Sequence, residues 1–144
     1  RYRRPSPRLA LIEPLRSFAR ASMDLSDGLI KDLDRMCRAS GVGADIELPK
    51  VPLSDAGKAV VAAEPDWARR AVVAGDDYEV LCTVAPAGEA DFQRAVAAAG
   101  VPVTAIGRIS ADPGIRLTDA SGARLSFAAA GWDHFTQRPA TTGR

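Results

Sequence analysis

The chain has 144 residues, 47% of them hydrophobic and 26% charged, which is the size of one domain and an ordinary globular composition. A net charge of +1 argues for neither nucleic acid nor an anionic membrane surface as a partner. There is no apolar run of 18 or more residues and no signal-peptide pattern, and the two cysteines, Cys37 and Cys82, stand on different elements without a CxxC, so free core thiols in a reducing, cytoplasmic setting fit better than a disulfide or zinc site.

The lead-in Arg1-Tyr2-Arg3-Arg4-Pro5-Ser6-Pro7-Arg8 is basic and broken by prolines, an extended solvated linker. Leu9, Leu11, Ile12, Leu15 and Phe18 predict a short helix over 9–19, and 21–25 reads as a short buried strand. Leu29, Ile30, Leu33, Met36 and Cys37 recur at the helical period and predict the best amphipathic helix of the chain, from about Gly28 to Ser40. Lys31, Asp32, Asp34, Arg35 and Arg38 fall on the opposite face, Asp34 and Arg38 at ion-pairing spacing, and Gly41 and Gly43 end the helix. The stretch 44–48 alternates as a half-buried strand ended by Pro49 and Pro52. Ser54 caps a helix to Ala63, and a proline opens a second short helix over 65–74, with Trp67 as a packing residue. Residues 80–84 read as a buried strand, and Pro86 starts a helix to about Ala99 with Phe92, Ala95, Val96 and Ala99 as its inner stripe. A strand over 101–109 follows, and the turn signals Asp112-Pro113-Gly114 and Asp119-Ala120-Ser121-Gly122 frame a hairpin of strands 115–118 and 123–127. Helices alternate with strands, so the fold class is an α/β (α+β) layered domain, a mixed sheet flanked by helices.

Three loops hold the suggestive polar residues. In Met23-Asp24-Leu25-Ser26-Asp27-Gly28-Leu29, two carboxylates and a hydroxyl stand just before a helix. Hard oxygen ligands suit Mg²⁺, which takes one or two carboxylates, several waters and substrate phosphates. Ser26 and free backbone N–H groups at the helix start can donate to phosphate. Asp27 is equally a natural N-cap. Asp76, Asp77 and Glu79 crowd the mouth of a strand, where like charges need a cation, donors or open solvent. In Gly131-Trp132-Asp133-His134-Phe135 the tryptophan is either a core plug or a flat wall for a cationic or aromatic ligand, and the lone His134 reads as structural. There is no P-loop, GxGxxG or GxSxG, and no nucleophile–base pair.

In this order, the lead-in with Pro7-Arg8, Met23-Asp24-Leu25-Ser26-Asp27-Gly28-Leu29, Ala39-Ser40-Gly41-Val42-Gly43-Ala44, Pro52-Leu53-Ser54, Gly75-Asp76-Asp77-Tyr78-Glu79 and Gly131-Trp132-Asp133-His134-Phe135 resemble the thiamine-monophosphate kinase family over its C-terminal half. The resemblance implies the C-terminal α/β domain of the superfamily that includes aminoimidazole ribonucleotide synthetase and selenophosphate synthetase. It implies a lead-in linker over 1–20, a substrate- and metal-binding domain over 21–136, a loose tail over 137–144, and a dimerising N-terminal ATP-binding domain that this sequence lacks. Carried over by motif, Asp24 and Asp27 would be Mg²⁺ ligands, Ser26 would contact ATP, and Asp76 and Trp132 would line the pocket for thiamine phosphate. The family usually has glutamate where Asp76 stands, one methylene longer, and Glu79 is the fallback. The implied reaction is transfer of the γ-phosphoryl of ATP to thiamine phosphate, by a homodimer, with the fragment inactive alone. A phosphate monoester with a second pKa of about 6 is largely dianionic at neutral pH, so no strong general base is required. Two other readings stand beside it: a superfamily member with another acceptor, and a non-catalytic binding module of the same fold.

Overall fold

The computed structural model describes residues 6–126. The first five residues, the far end of the expected strand at Phe127, the Gly131–Phe135 loop with Trp132 and His134, and the 137–144 tail lie outside the described residues.

The apolar spacing at 9–19 yields a 3₁₀ turn (Leu9–Leu11) and helix α1 (Ile12–Phe18), with Pro14 buried in its first turn, where a missing N–H costs no hydrogen bond. Strand β1 (Ala19–Leu25) follows directly. Its side chains alternate between half-buried and exposed, so it is a two-faced strand rather than a buried one, with Asp24 on the open face. Helix α2 (Leu29–Ser40) has the expected apolar stripe, the Asp34–Arg38 ion pair at 2.9 Å, and Gly41 as a left-handed C-cap at φ 66°. Strand β2 (Gly43–Glu47), helix α3 (Asp55–Ala63), helix α4 (Trp67–Ala71), strand β3 (Glu79–Val84) and helix α5 (Glu89–Ala98) come next. Ser54 Oγ accepts from the Gly57 N–H at 3.1 Å, the cap expected of it. Trp67 departs from expectation: it is 41% exposed, with its indole N–H on Glu64 and Arg70 stacked 5.0 Å from the ring centroid.

The strand expected over 101–109 is confined to β4 (Gly107–Ser110), and of the run before it only the Ile106 C=O reaches β2, accepting from Glu47 N–H at 2.9 Å. Pro102 lacks the N–H a ladder needs, which is reason enough for pairing to start late. Strands β5 (Gly114–Thr118) and β6 (Arg124–Leu125) form the expected hairpin.

Two sheets result: β1 pairs antiparallel with β3, and the second sheet runs β4-β2-β5-β6. In the latter, β2 is antiparallel to β4 and parallel to β5, so the sheet is mixed, as alternating helices and strands with a terminal hairpin require. Helix α2 joins the two. Leu29, Ile30, Leu33, Met36 and Cys37 pack with Ala44, Ile46 and Leu117 of the larger sheet, Leu81 of the smaller, and Val72. A second cluster joins Leu11, Phe92 and Val96, with Leu15 and Phe18 against it and the Phe18 and Phe92 rings edge-on at 6.3 Å. Part of the 1–20 lead-in is thereby packed onto α5. Both cysteines are free thiols, each pushed up by burial. Among the described residues no helix is long and apolar enough to cross a membrane.

Candidate functional site

The pairing of β1 with β3 sets Leu25 opposite Glu79 and Asp24 opposite Val80. In an antiparallel pair that register brings the segment leaving β1 and the segment entering β3 to the same end of the sheet. The two acidic loops, 52 positions apart from Asp24 to Asp76, thus become neighbours. Backbone hydrogen bonds clamp them: Asp76 N–H donates to Ser26 C=O and Tyr78 N–H to Leu25 C=O, each at 2.8 Å. Ile30 N–H donates to Val72 C=O at 3.1 Å beside them.

Two glycines make the approach possible. Gly28 has φ 112°, and a Cβ there would lie 2.8 Å from the carbonyl oxygens of Val73 and Ala74. At Gly75 a Cβ would lie 2.5 Å from the Ser26 carbonyl oxygen. Beyond Gly75 the chain holds two non-glycine residues at positive φ, Asp76 at 69° and Tyr78 at 50°, a conformation that persists only where surrounding contacts impose it.

Asp27 does not cap α2. The N-cap is Gly28, and no side chain closes it. The carboxylate that organises the turn is Asp32, whose Oδ2 accepts from the N–H groups of both Ser26 and Asp27 at 3.0 Å. Its Oδ1 accepts from Arg35 Nη1 at 3.1 Å. Asp32 belongs to the buried face, with a side chain 0% exposed, and not to the outer face to which the pattern assigned it. The Ser26 and Asp27 amides are therefore committed to Asp32 and are not free for phosphate. Asp27 turns its own carboxylate to cations, Arg35 Nη2 at 2.6 Å and Lys31 Nζ at 3.3 Å. The hydrogen bond from Arg35, helped by Lys31, holds the Asp27 carboxyl below the usual carboxylate range against an opposing desolvation.

The other loop is tied more loosely. Tyr78 Oη donates to Asp76 Oδ1 at 2.9 Å. Arg8 forms a two-pronged pair with Glu79, Nε to Oε2 and Nη2 to Oε1 at 3.1 Å each, so Glu79 fastens the lead-in to β3. Asp77 is pushed up to about 6, first by desolvation and then by the charges of Glu79, Asp76 and Asp32. Asp77 as a residue keeps solvent contact, so screening limits how much of that shift becomes stability. The Asp32 contribution marks the two loops as electrostatic neighbours.

Asp24, Ser26, Asp27 and Asp76 are thus brought to one corner, while Trp132 lies outside the described residues. The Asp24 carboxylate is exposed and has no hydrogen-bond or ion-pair partner among the described residues. Among them no three His, Cys, Asp or Glu side chains form a ready-made metal cage. Two carboxylates at one loop nevertheless fit the donor set of Mg²⁺, which takes its remaining ligands from water and phosphate. Asp32, Arg35, Arg8 and Asp77 were not assigned roles from sequence. For Asp32 a signal existed: it lies one turn from Leu29 and Met36, at the edge of the apolar stripe, in the first turn of a helix, where an acidic side chain can reach back to N-terminal amides.

Residues 7–120 match the family described as AIR synthase related protein, C-terminal domain. Thiamine-monophosphate kinase of Escherichia coli (strain K12) is 40% identical over 136 residues, 94% of this chain and 41% of that protein. The crystal structure of thiamine-monophosphate kinase from Stenotrophomonas maltophilia K279a superposes with a TM-score of 0.73 at 34% identity, over 79% of this chain and 36% of that one. The structure of AaThiL complexed with AMPPCP and TMP gives a TM-score of 0.72 at 29% identity, over 92% of this chain and 39% of that one. The chain therefore spans about two fifths of the length of the relatives it matches. With the match covering most of its length, the chain belongs to the family of AIR synthase related proteins, as their C-terminal domain.

Proposed function

We propose that this chain is the substrate- and metal-binding C-terminal part of a kinase that transfers the γ-phosphoryl group of ATP to thiamine phosphate, giving thiamine diphosphate in the cytoplasm. The observation that carries the reading is the clamp between the two acidic loops, which gathers Asp24, Ser26, Asp27 and Asp76 at one corner. Its support from outside the chain is the similarity to thiamine-monophosphate kinases and to a relative complexed with an ATP analogue and TMP.

Asp24 and Asp27 would hold Mg²⁺, which when bound offsets the phosphate charge that two approaching anions would otherwise oppose. Ser26 stands between them as a hydroxyl donor for an ATP phosphate oxygen. Asp76, with Tyr78 fixing one of its oxygens, offers negative charge to a thiazolium or aminopyrimidine, and Trp132 supplies the flat wall. Glu79, the fallback, is committed to Arg8, which favours Asp76 as the contact. No residue here needs to act as a strong base, because the acceptor oxygen is already ionised. A further domain carries most of the nucleotide contacts, and the working unit is a homodimer.

The test is formation of thiamine diphosphate by the full-length protein from ATP, Mg²⁺ and thiamine phosphate. Wild-type protein is expected to turn over, and Asp24→Asn to lose at least about a hundredfold of that rate, as removal of one charged metal contact does. Wild-type turnover in Asp24→Asn contradicts the ligand assignment, and no turnover in the wild type contradicts the kinase reading.

A further inference from the structure

Asp27 is at once the proposed ligand of a divalent cation and the partner of two cations of its own chain. Both sit on one oxygen: Arg35 Nη2 lies 2.6 Å from Asp27 Oδ2, and Lys31 Nζ 3.3 Å from the same atom. The same guanidinium donates from Nη1 to Asp32 Oδ1 at 3.1 Å, and Asp32 is itself fixed by the Ser26 and Asp27 amides. Arg35 bridges a buried anchor and the carboxylate at the mouth of the site. The bridging guanidinium is 52% exposed, while the carboxylates at its two ends are 0% exposed at Asp32 and 15% at Asp27. The guanidinium can therefore release Asp27 without opening the core, while Asp32 keeps it within reach. Asp27 and Asp32 face two cations, Arg35 and Lys31, in this cluster as folded. A divalent cation held by Asp27 would stand within a few ångströms of the guanidinium charge, and the two would compete for one carboxylate.

We infer that Arg35 is a positioning residue of the metal site: anchored by Asp32, it holds the Asp27 carboxylate in place and is displaced from it when a divalent cation binds, so its charge sets the affinity for that cation. The inference rests on the assignment of Asp27 as a metal ligand. Displacement leaves the guanidinium beside incoming phosphate charge, where a fork of donors is useful.

The probe is Mn²⁺, followed by electron paramagnetic resonance titration of the full-length protein with and without AMPPCP. Arg35→Gln and Arg35→Ala are expected to bind Mn²⁺ about two- to fivefold more tightly, the scale of a half-exposed ion pair removed. Arg35→Lys restores affinity towards wild type. Arg38→Gln removes the same unit of charge from an 80% exposed position paired with Asp34, and leaves the affinity unchanged. Unchanged or weaker binding in the neutral Arg35 variants overturns the inference, as does equal tightening in Arg38→Gln. Asp27→Asn separates the two claims: wild-type Mn²⁺ affinity in that variant removes the ligand assignment itself, whereas lost affinity there with no tightening at Arg35 removes only the competition.

Discussion

A carboxylate with no exposed surface must find its donors inside the protein, and Asp32 finds three, two backbone amides and a guanidinium. Replacing it with alanine leaves the Ser26 and Asp27 amides without their acceptor and frees Arg35. Asp32→Ala is therefore expected to lower unfolding free energy by about 2–4 kcal/mol in urea titration, and a loss below about 0.5 kcal/mol contradicts its role as the organiser of the turn. Asp77 has the opposite character. Its carboxyl is pushed from the ordinary 3.8 up to about 6, so between those values the folded chain binds more protons than the unfolded one. Stability from this group accordingly falls as pH rises through that window and is fully lost above it. Asp77→Asn should flatten the fall in melting temperature from about pH 4 to pH 6 and raise it near pH 7. An unchanged pH profile contradicts the crowding of Asp77 by Glu79, Asp76 and Asp32.

At the scale of elements, the site depends on how closely two loops approach. Gly28 holds φ 112° with two carbonyl oxygens where a Cβ would go, and Gly75 backs onto Ser26. Gly28→Ala should cost about 1–3 kcal/mol and loosen the Asp76–Ser26 hydrogen bond, read by thermal melting and by faster amide exchange at Asp76. Wild-type stability and exchange would contradict the clamp. The elements themselves were largely legible. Helix α2 announces itself through Leu29, Ile30, Leu33, Met36 and Cys37, and the β5–β6 hairpin through its turn residues. The expected strand over 101–109 is longer than β4, and Pro102 within it has no N–H to give a ladder. Periodicity puts Asp32 on the outer face because it sorts by polarity and cannot see a buried acceptor serving backbone donors. The cap role expected of Asp27 beside its ligand role rests on acids before helices usually being caps, yet Lys31 and Arg35, one and two turns on, draw its carboxylate away. The adjacency of the two acidic loops follows only from the β1–β3 register, which no local pattern encodes.

At the scale of the molecule, helix α2 bridges a two-stranded and a four-stranded sheet and presents its N-terminal corner at one end of β1 and β3. The chain spans about two fifths of the length of its relatives, and within it Asp24, Ser26, Asp27 and Asp76 stand at one corner. The central claim is that the two acidic loops act as one metal and substrate corner. It is tested most directly by Mn²⁺ added to the ¹⁵N-labelled full-length protein with AMPPCP, reading paramagnetic broadening of amide signals. Amides of residues 24–27 and 75–79 are expected to broaden together at the lowest Mn²⁺ levels, and Asp24→Asn to abolish both effects. Broadening of one loop without the other, or of residues remote from both, would contradict it.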